Sequence, residues 1–477
     1  MNKKRATIIF SLLMAFGSSG FFFSSCKDRS MDGMIIITRT TGKTENANYF
    51  TGEPWRYIPQ AQIVKLDPSK PDRPVKILTA DYYSARSPQI SYDGKHMLFC
   101  AQQKQNDPWQ IWEMDLSNLK TTQVTTSAEN CTDPAYLPLG RLVFSKYTGN
   151  DKLKSGHSLY SCNLDGSDLQ RVTFNPHSYF ASNVLNDGRI LTVDRQVYPE
   201  NGNPEYIILR PDGTKTELFF KDNEGTILSG QGLETADDRI VFIESTKDRP
   251  TTGNIISVSY NRPLHSKLNL TSETKGDFHS AFPLRSGKFL VSYRKSESDR
   301  YSLYEFDPAT KSLGKAIYNN SEFDVLEAVE VFKHARPRKL PSEVHMDIKT
   351  GLVVCQNVDL RDPELSVNSL ALPKINSIEI VGIDSSLGVF QPEKDGSFYL
   401  RVSADMPFRI RSLDGKGNVI QTCNWIWLRP NERRGCVGCH EDQELVPENR
   451  IALAVKKFSI SVPLHVKKIK EKMIDTE

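Results

Sequence analysis

A tight turn followed at once by an apolar strand recurs along most of this chain of 477 residues. It reads Gly33-Met34-Ile35-Ile36-Ile37, then Gly94-Lys95-His96-Met97-Leu98-Phe99, Gly140-Arg141-Leu142-Val143-Phe144 and Gly188-Arg189-Ile190-Leu191. It returns as Asp238-Arg239-Ile240-Val241-Phe242, Gly287-Lys288-Phe289-Leu290-Val291 and Gly351-Leu352-Val353-Val354. The intervals between these turns are 61, 46, 48, 50, 49 and 64 residues. A unit of about 40–50 residues holding several short strands is the period of a propeller blade. The pattern therefore predicts an all-β chain: a β-propeller over residues 34–360 with about seven blades, six or eight being the alternatives. The longer first and last intervals mark insertions or the blade that closes the ring.

Other segments keep phase with the turn. Ile111-Trp112-Glu113-Met114-Asp115-Leu116 and Leu159-Tyr160-Ser161-Cys162-Asn163-Leu164 alternate apolar with polar residues, the period of a half-buried strand. Asp165-Gly166 and Asp212-Gly213 supply hairpin turns. Ser87-Pro88-Gln89-Ile90-Ser91-Tyr92-Asp93-Gly94-Lys95, with Ile111 to Leu116 and a Val124-Thr125 ending, resembles the blade repeat of the periplasmic Tol-system propeller. That repeat implies a fold and carries no activity with it. Basic and acidic residues number 61 and 58, so no nucleic-acid footprint is present.

The N-terminus points outside the cytoplasm. Lys3, Lys4 and Arg5 precede an apolar run over residues 8–16, too short to span a membrane and placed like a secretory signal. Ser24-Ser25-Cys26 resembles a bacterial lipobox, with Phe23 where Leu is usual. The expectation is a lipoprotein signal peptide over 1–25, a lipid on Cys26, and a polar tether over 26–33. The product would be an exported, membrane-anchored lipoprotein in the periplasm, at the outer membrane or on the cell surface. An ordinary signal peptide with an incidental Cys is the alternative.

Near the other end stands Cys436-Val437-Gly438-Cys439-His440. Two thiols three residues apart can each add to one vinyl group of a haem, and the adjacent His then reaches the iron. Cys436 and Cys439 are the expected covalent anchors of one haem c, and His440 is the expected iron ligand. A zinc knuckle and a redox dithiol share the first four residues. The former needs a second ligand pair at similar spacing and the latter a surrounding βαβ pattern, and the sequence has neither. Setting aside Cys26, Cys436 and Cys439 leaves five of the eight cysteines, mostly in apolar strand patterns. These read as buried thiols, with one disulfide possible and its pairing open.

His177 and His279 occupy related places about ten residues before a turn, where an inner strand begins. Each is either a distal haem ligand or substrate contact, or a repeat-borne residue capping its strand by hydrogen bonding. Arg195, Tyr293 and Arg294 follow on the related strands and are candidates to line the same rim. Arg336-Pro337-Arg338-Lys339-Leu340-Pro341 reads as an extended surface run, since Pro restrains itself and its predecessor. A polar stretch near 359–373 places a domain boundary. Beyond it, residues 361–428 read as a small antiparallel β-domain, and 429–477 as a haem c segment with a Lys-rich tail. Trp425 and Trp427 are core residues or walls of a macrocycle pocket. Arg429, Arg433 and Arg434 are partners for haem propionates or solvated cations.

A more specific resemblance covers this last third. Leu387-Gly388-Val389, Pro392 to Phe398, Phe408 to Asp414 and the ending Arg429 to Glu441 are similar to the middle domain of the hydrazine synthase alpha subunit family. The Arg336 to Pro341 run and a preceding propeller are similar as well. The resemblance implies a propeller and a β-domain enclosing a haem c. It does not carry hydrazine synthesis with it, because the family's full-length enzyme has a second haem motif and works with other subunits, whereas this sequence shows one Cys-x-x-Cys-His. Two functions follow as expectations. In one, the haem performs redox, electron-transfer or small-molecule chemistry of a nitrogen-compound kind, a haem-dependent oxidoreductase with a redox partner protein. In the other, the propeller is a non-catalytic binding or scaffold lipoprotein with a structural haem. No residue pattern marks a catalytic group, and a hydrolase ranks third.

Overall fold

The computed structural model describes residues 31–42, 46–70, 73–149, 155–222, 225–361, 373–437 and 450–462. The signal region with Cys26, and the motif residues Cys439 and His440, lie outside the described residues.

Among the described residues the propeller has six blades. Blade 1 is closed by two distant parts of the chain: its inner strand Asp324–Glu330 pairs antiparallel with Ile35–Thr40, which pairs onward with Gln62–Leu66. Blades 2, 3 and 4 have inner strands Ser84–Ile90, Cys131–Leu137 and His177–Val184. Blade 5 is built around Arg239–Thr246 and Arg249–Ser259, and blade 6 begins at Asp277–Pro283. Six of the seven turn signals stand before the second strand of a blade. Five are glycines at positive φ (Gly33, Gly94, Gly140, Gly188 and Gly287), and Asp238 takes the same left-handed region at φ 56°. The seventh, Gly351, opens the strand Thr350–Cys355, which belongs to the second β-domain. That strand has the same turn-plus-apolar signature because it too buries one face, so the described residues form six blades, the lower of the two alternatives to seven.

The second domain is two four-stranded sheets packed face to face. Ser377–Val381, Ser386–Phe390, Arg409–Leu413 and Val419–Thr422 form one sheet. The other has the order Arg433–Cys436, Thr350–Cys355, Phe398–Ser403, Ile460–Ser461. Val353, Ile378, Ile380, Leu400, Val402 and Ile410 fill the space between them. This domain is not purely antiparallel: both edge strands of the second sheet pair parallel to their neighbours. Parallel pairing requires the chain to leave and return over a long connection, which is how distant segments reach one sheet.

Residues 331–349 join the two bodies as an extended run over the turn face of the propeller. The His334 amide donates to Tyr92 O at 3.0 Å and the Arg338 amide to Asn186 O at 3.0 Å. The strap lies so close that a Cβ on Gly188 would overlap the Arg338 carbonyl oxygen. Gly188→Ala should therefore cost about 2–3 kcal/mol, from left-handed strain plus displacement of the strap. A lowered denaturation midpoint with faster amide exchange at Arg338 checks this.

The first long interval has a separate use. Residues 46–61, between the second and third strands of blade 1, fold back over the propeller axis. Tyr49 Oη donates to Leu228 O at 2.5 Å, and Arg56 Nη2 to Ser229 O at 2.7 Å. Arg86 Nη1 donates to Trp55 O at 2.7 Å. Tyr49, Trp55 and Phe180 pack together in a buried aromatic cluster. This plug reaches blades 2, 4 and 5 at once.

Candidate functional site

The motif strand Arg433–Cys436 starts from a turn that the sequence dictates. Pro430 presets its φ, Asn431 takes φ 69°, and the Glu432 amide donates back to Arg429 O at 2.9 Å. Glu432 is fully buried, and its carboxylate gathers the Arg429 amide at 2.8 Å, the Lys215 amide at 3.0 Å and the Arg434 guanidinium at 2.8 Å. A buried carboxylate is tolerated when donors surround it in this way. The strand then runs parallel to Thr350–Cys355, with Cys436 in register with Cys355.

At Cys436 the chain is pinned on both sides of the motif. The Gln356 amide donates to Cys436 O at 3.0 Å, and the Asn357 amide to Val437 O at 3.2 Å. Beyond the motif, Arg450 Nη2 donates to Gln356 O at 3.0 Å and to Asp395 O at 3.1 Å. Cys436 and Arg450 are thus both bonded to one residue, Gln356. Cys436 is half-buried and packs against the apolar core of the sandwich.

The basic residues ahead of the motif hold the two bodies together. Arg429 is buried, paired with Asp405 at 2.7 Å, bonded to Asp212 O at 3.0 Å and stacked over Phe174 at 4.6 Å. Arg434 is taken up by Glu432, and Arg433 is exposed, its carbonyl accepting from Lys215 Nζ at 2.6 Å. Arg429 therefore docks the sandwich on the propeller, while Arg434 is held locally by Glu432. Trp425 and Trp427 are both buried, and Trp425 Nε1 donates to Tyr198 O of blade 4 at 2.8 Å.

The propeller axis holds a second polar constellation, around a cavity of about 90 Å3. Each of three inner strands carries a β-bulge, with Ser87, Asp133 and Ala181 at φ 56°, 51° and 56°. A bulge frees a backbone amide from its ladder, and carboxylates from other blades accept two of these. Glu327 of blade 1 accepts the Ser87 amide at 2.8 Å, and Asp133 of blade 3 accepts the Ala181 amide at 2.7 Å. Arg86 lies 3.5 Å from Glu327, and Arg56 of the plug lies 3.3 Å from Asp133. The sequence reading missed this ring. Its available signal was the Ser87-Pro88 and Asp133-Pro134 pairs at matching inner-strand positions.

His177 and His279 both sit on inner strands, and no described contact joins either to Cys436. The His177 Nδ1 lies 2.8 and 2.9 Å from the two Asp194 oxygens within blade 4, and the His279 Nδ1–H donates to Thr251 O at 2.7 Å. These bonds match the strand-capping alternative, although His279 also lines the cavity, where burial holds its pKa below the ordinary value. Arg195 bonds Gly202 O and covers Tyr49, while Arg294 pairs with Asp277 at 3.0 Å.

A propeller closed by its own ends, strapped to a β-sandwich whose edge strand ends at Cys436, defines the class of protein. Residues 365–441 match the family described as hydrazine synthase alpha subunit middle domain. Hydrazine synthase subunit alpha of Kuenenia stuttgartiensis is 22% identical over 530 aligned residues, covering 83% of this chain and 65% of that one. The chain thus spans just under two thirds of that relative's length. A solved chain of Kuenenia stuttgartiensis hydrazine synthase superposes with a TM-score of 0.78 at 19% identity, over 89% of this chain and 71% of that chain. TolB from Acinetobacter baumannii superposes at 0.44 and 15% identity, over 63% and 66% of the two chains. The chain is thus similar to hydrazine synthase alpha, in sequence over the middle domain and in fold over most of its length.

Proposed function

We propose that this chain is an exported, lipid-anchored protein that holds one haem c and uses it for redox chemistry on a small nitrogen compound. The carrying observation is the placement of Cys436: a half-buried sulfur at the end of a strand fixed by Glu432, beside the apolar core of the sandwich. Two thiols and an adjacent imidazole are the donor set that such a cofactor needs, and an apolar neighbour suits a macrocycle edge. Cys436 and Cys439 would hold the porphyrin, and His440 the iron. When bound, the haem would supply a one-electron centre able to take up a small-molecule ligand. The protein's part is positional. Glu432 and Arg434 stiffen the strand before the motif, and Arg450 ties the chain after it to Gln356. The relationship to hydrazine synthase alpha supports nitrogen compounds as the substrate class, and the lipobox-like Cys26 supports the anchor.

Absorption spectra of native protein, oxidised and reduced, test this reading. A haem spectrum that stays with the polypeptide after acidic organic extraction is expected. A high-spin ferric form would mark an open sixth position and small-molecule turnover, whereas a low-spin form would mark electron transfer. Colourless protein from a host competent in haem c attachment would overturn the proposal.

A further inference from the structure

The chain brings a third thiol to the motif. Cys355 and Cys436 are 81 positions apart, yet they are register partners on adjacent parallel strands. Partners directly opposite in a sheet point to the same face, and neighbouring strands lie about 4.8 Å apart. That spacing falls in the range of about 4.4–6.8 Å between Cα atoms that a disulfide spans. Both residues pack on the same sandwich core, Cys355 fully and Cys436 partly buried. The backbone bonds from Gln356 to Cys436 and from Asn357 to Val437 lock this register one residue beyond the pair. Cys100, Cys131 and Cys162 cluster elsewhere, in the propeller, where burial pushes their thiols up to about 11, 12 and 11 and keeps them protonated.

We propose that Cys355 and Cys436 form a reversible disulfide in the haem-free chain, which withholds the motif's first sulfur until reduction frees it. The disulfide rests on strand register alone; its effect on cofactor attachment rests on the function proposed above. The oxidant is a small or protein disulfide. The Cys436 thiolate attacks one of its sulfurs and expels a thiolate, and the Cys355 thiolate then attacks the mixed disulfide and expels the second. One S–S bond forms in the chain and the oxidant's S–S bond breaks; two electrons and the two cysteine protons pass to the oxidant, which leaves as two thiols. While linked, Cys436 has no thiol to add to a vinyl group. A thiol reductant reverses the step.

The test uses full-length chain made without haem attachment, oxidised with glutathione disulfide and digested with trypsin without reduction. The expected main product joins peptide 350–361 to peptide 435–450. Because the second peptide holds two cysteines, Cys439→Ser should keep the link and Cys436→Ser should lose it, with Cys355→Ala losing it at near-native stability. The oxidised chain should take up no haem in an attachment assay until a reductant is added, whereas Cys355→Ala should load without one. Peptide 350–361 recovered as an alkylated thiol, or linked to Cys423 or Cys439 instead, would overturn the proposal. If the 355–436 link forms but no haem attaches under any condition, the disulfide stands and the haem reading fails. If haem attaches and the link never forms, the reverse holds.

Discussion

Asp133→Ala should destabilise the protein by about 3–5 kcal/mol, the cost of removing one partner from a buried ion pair. The side chain is almost wholly buried at the propeller axis, where its carboxylate accepts the Ala181 amide at 2.7 Å and the Ser87 hydroxyl at 3.2 Å and faces Arg56 at 3.3 Å. Alanine would leave a buried guanidinium without its counter-charge and a bulge amide without an acceptor. Asp133→Asn keeps the volume and one acceptor oxygen, so its loss should be smaller. Pairing Asp133→Ala with Arg56→Met should recover part of the loss, because the stranded charge is then gone. Urea denaturation of the four proteins checks all three orderings. A single-variant loss below about 1 kcal/mol would mean that the ring does not organise the axis.

Acid should unfold the protein through His157. Its ring is fully buried, 2.6 Å from Tyr57 Oη and among the rings of Tyr147 and Phe180. Burial lowers its pKa to about 3, with Asp133 opposing that shift and Arg56 assisting it. The unfolded chain binds the proton near the ordinary value of about 6.5, so below that pH it holds more protons than the folded state. Stability from this group is complete above about pH 6.5 and falls by about 1.4 kcal/mol per pH unit down to about pH 3. His157→Phe should flatten that slope in a series of denaturation curves between these limits. An unchanged slope would place the acid lability elsewhere.

The two effects share a place, the plugged axis, and that place was hard to read from sequence. Local signals gave the blades: a left-handed turn residue before an apolar strand is dictated within five residues, and six such signals fall in six blades. The same local logic admitted Gly351, because a sandwich strand and a blade strand bury one face alike and only the pairing partner differs. The plug was visible only as a long interval between Gly33 and Gly94, since Tyr49, Trp55 and Arg56 find their partners in blades 2, 4 and 5. Arg429 and Arg434 were legible as cations near the motif, but Asp405, which pairs with Arg429, and Lys215, whose amide meets the local Glu432, are tertiary neighbours. Cys355 was legible as a buried thiol but not as the neighbour of Cys436, because that register follows from a parallel pairing between distant segments. The Cys-x-x-Cys-His spacing needed no such neighbour, since its chemistry is written in five consecutive residues.

The account stands on thioether bonds at the two motif cysteines. Mass spectrometry of peptide 435–450 from native, haem-competent expression measures this directly, after full denaturation and alkylation. The expected peptide carries one haem, and neither Cys436 nor Cys439 is open to the alkylating reagent. A peptide recovered with both thiols alkylated and no added porphyrin would contradict the account.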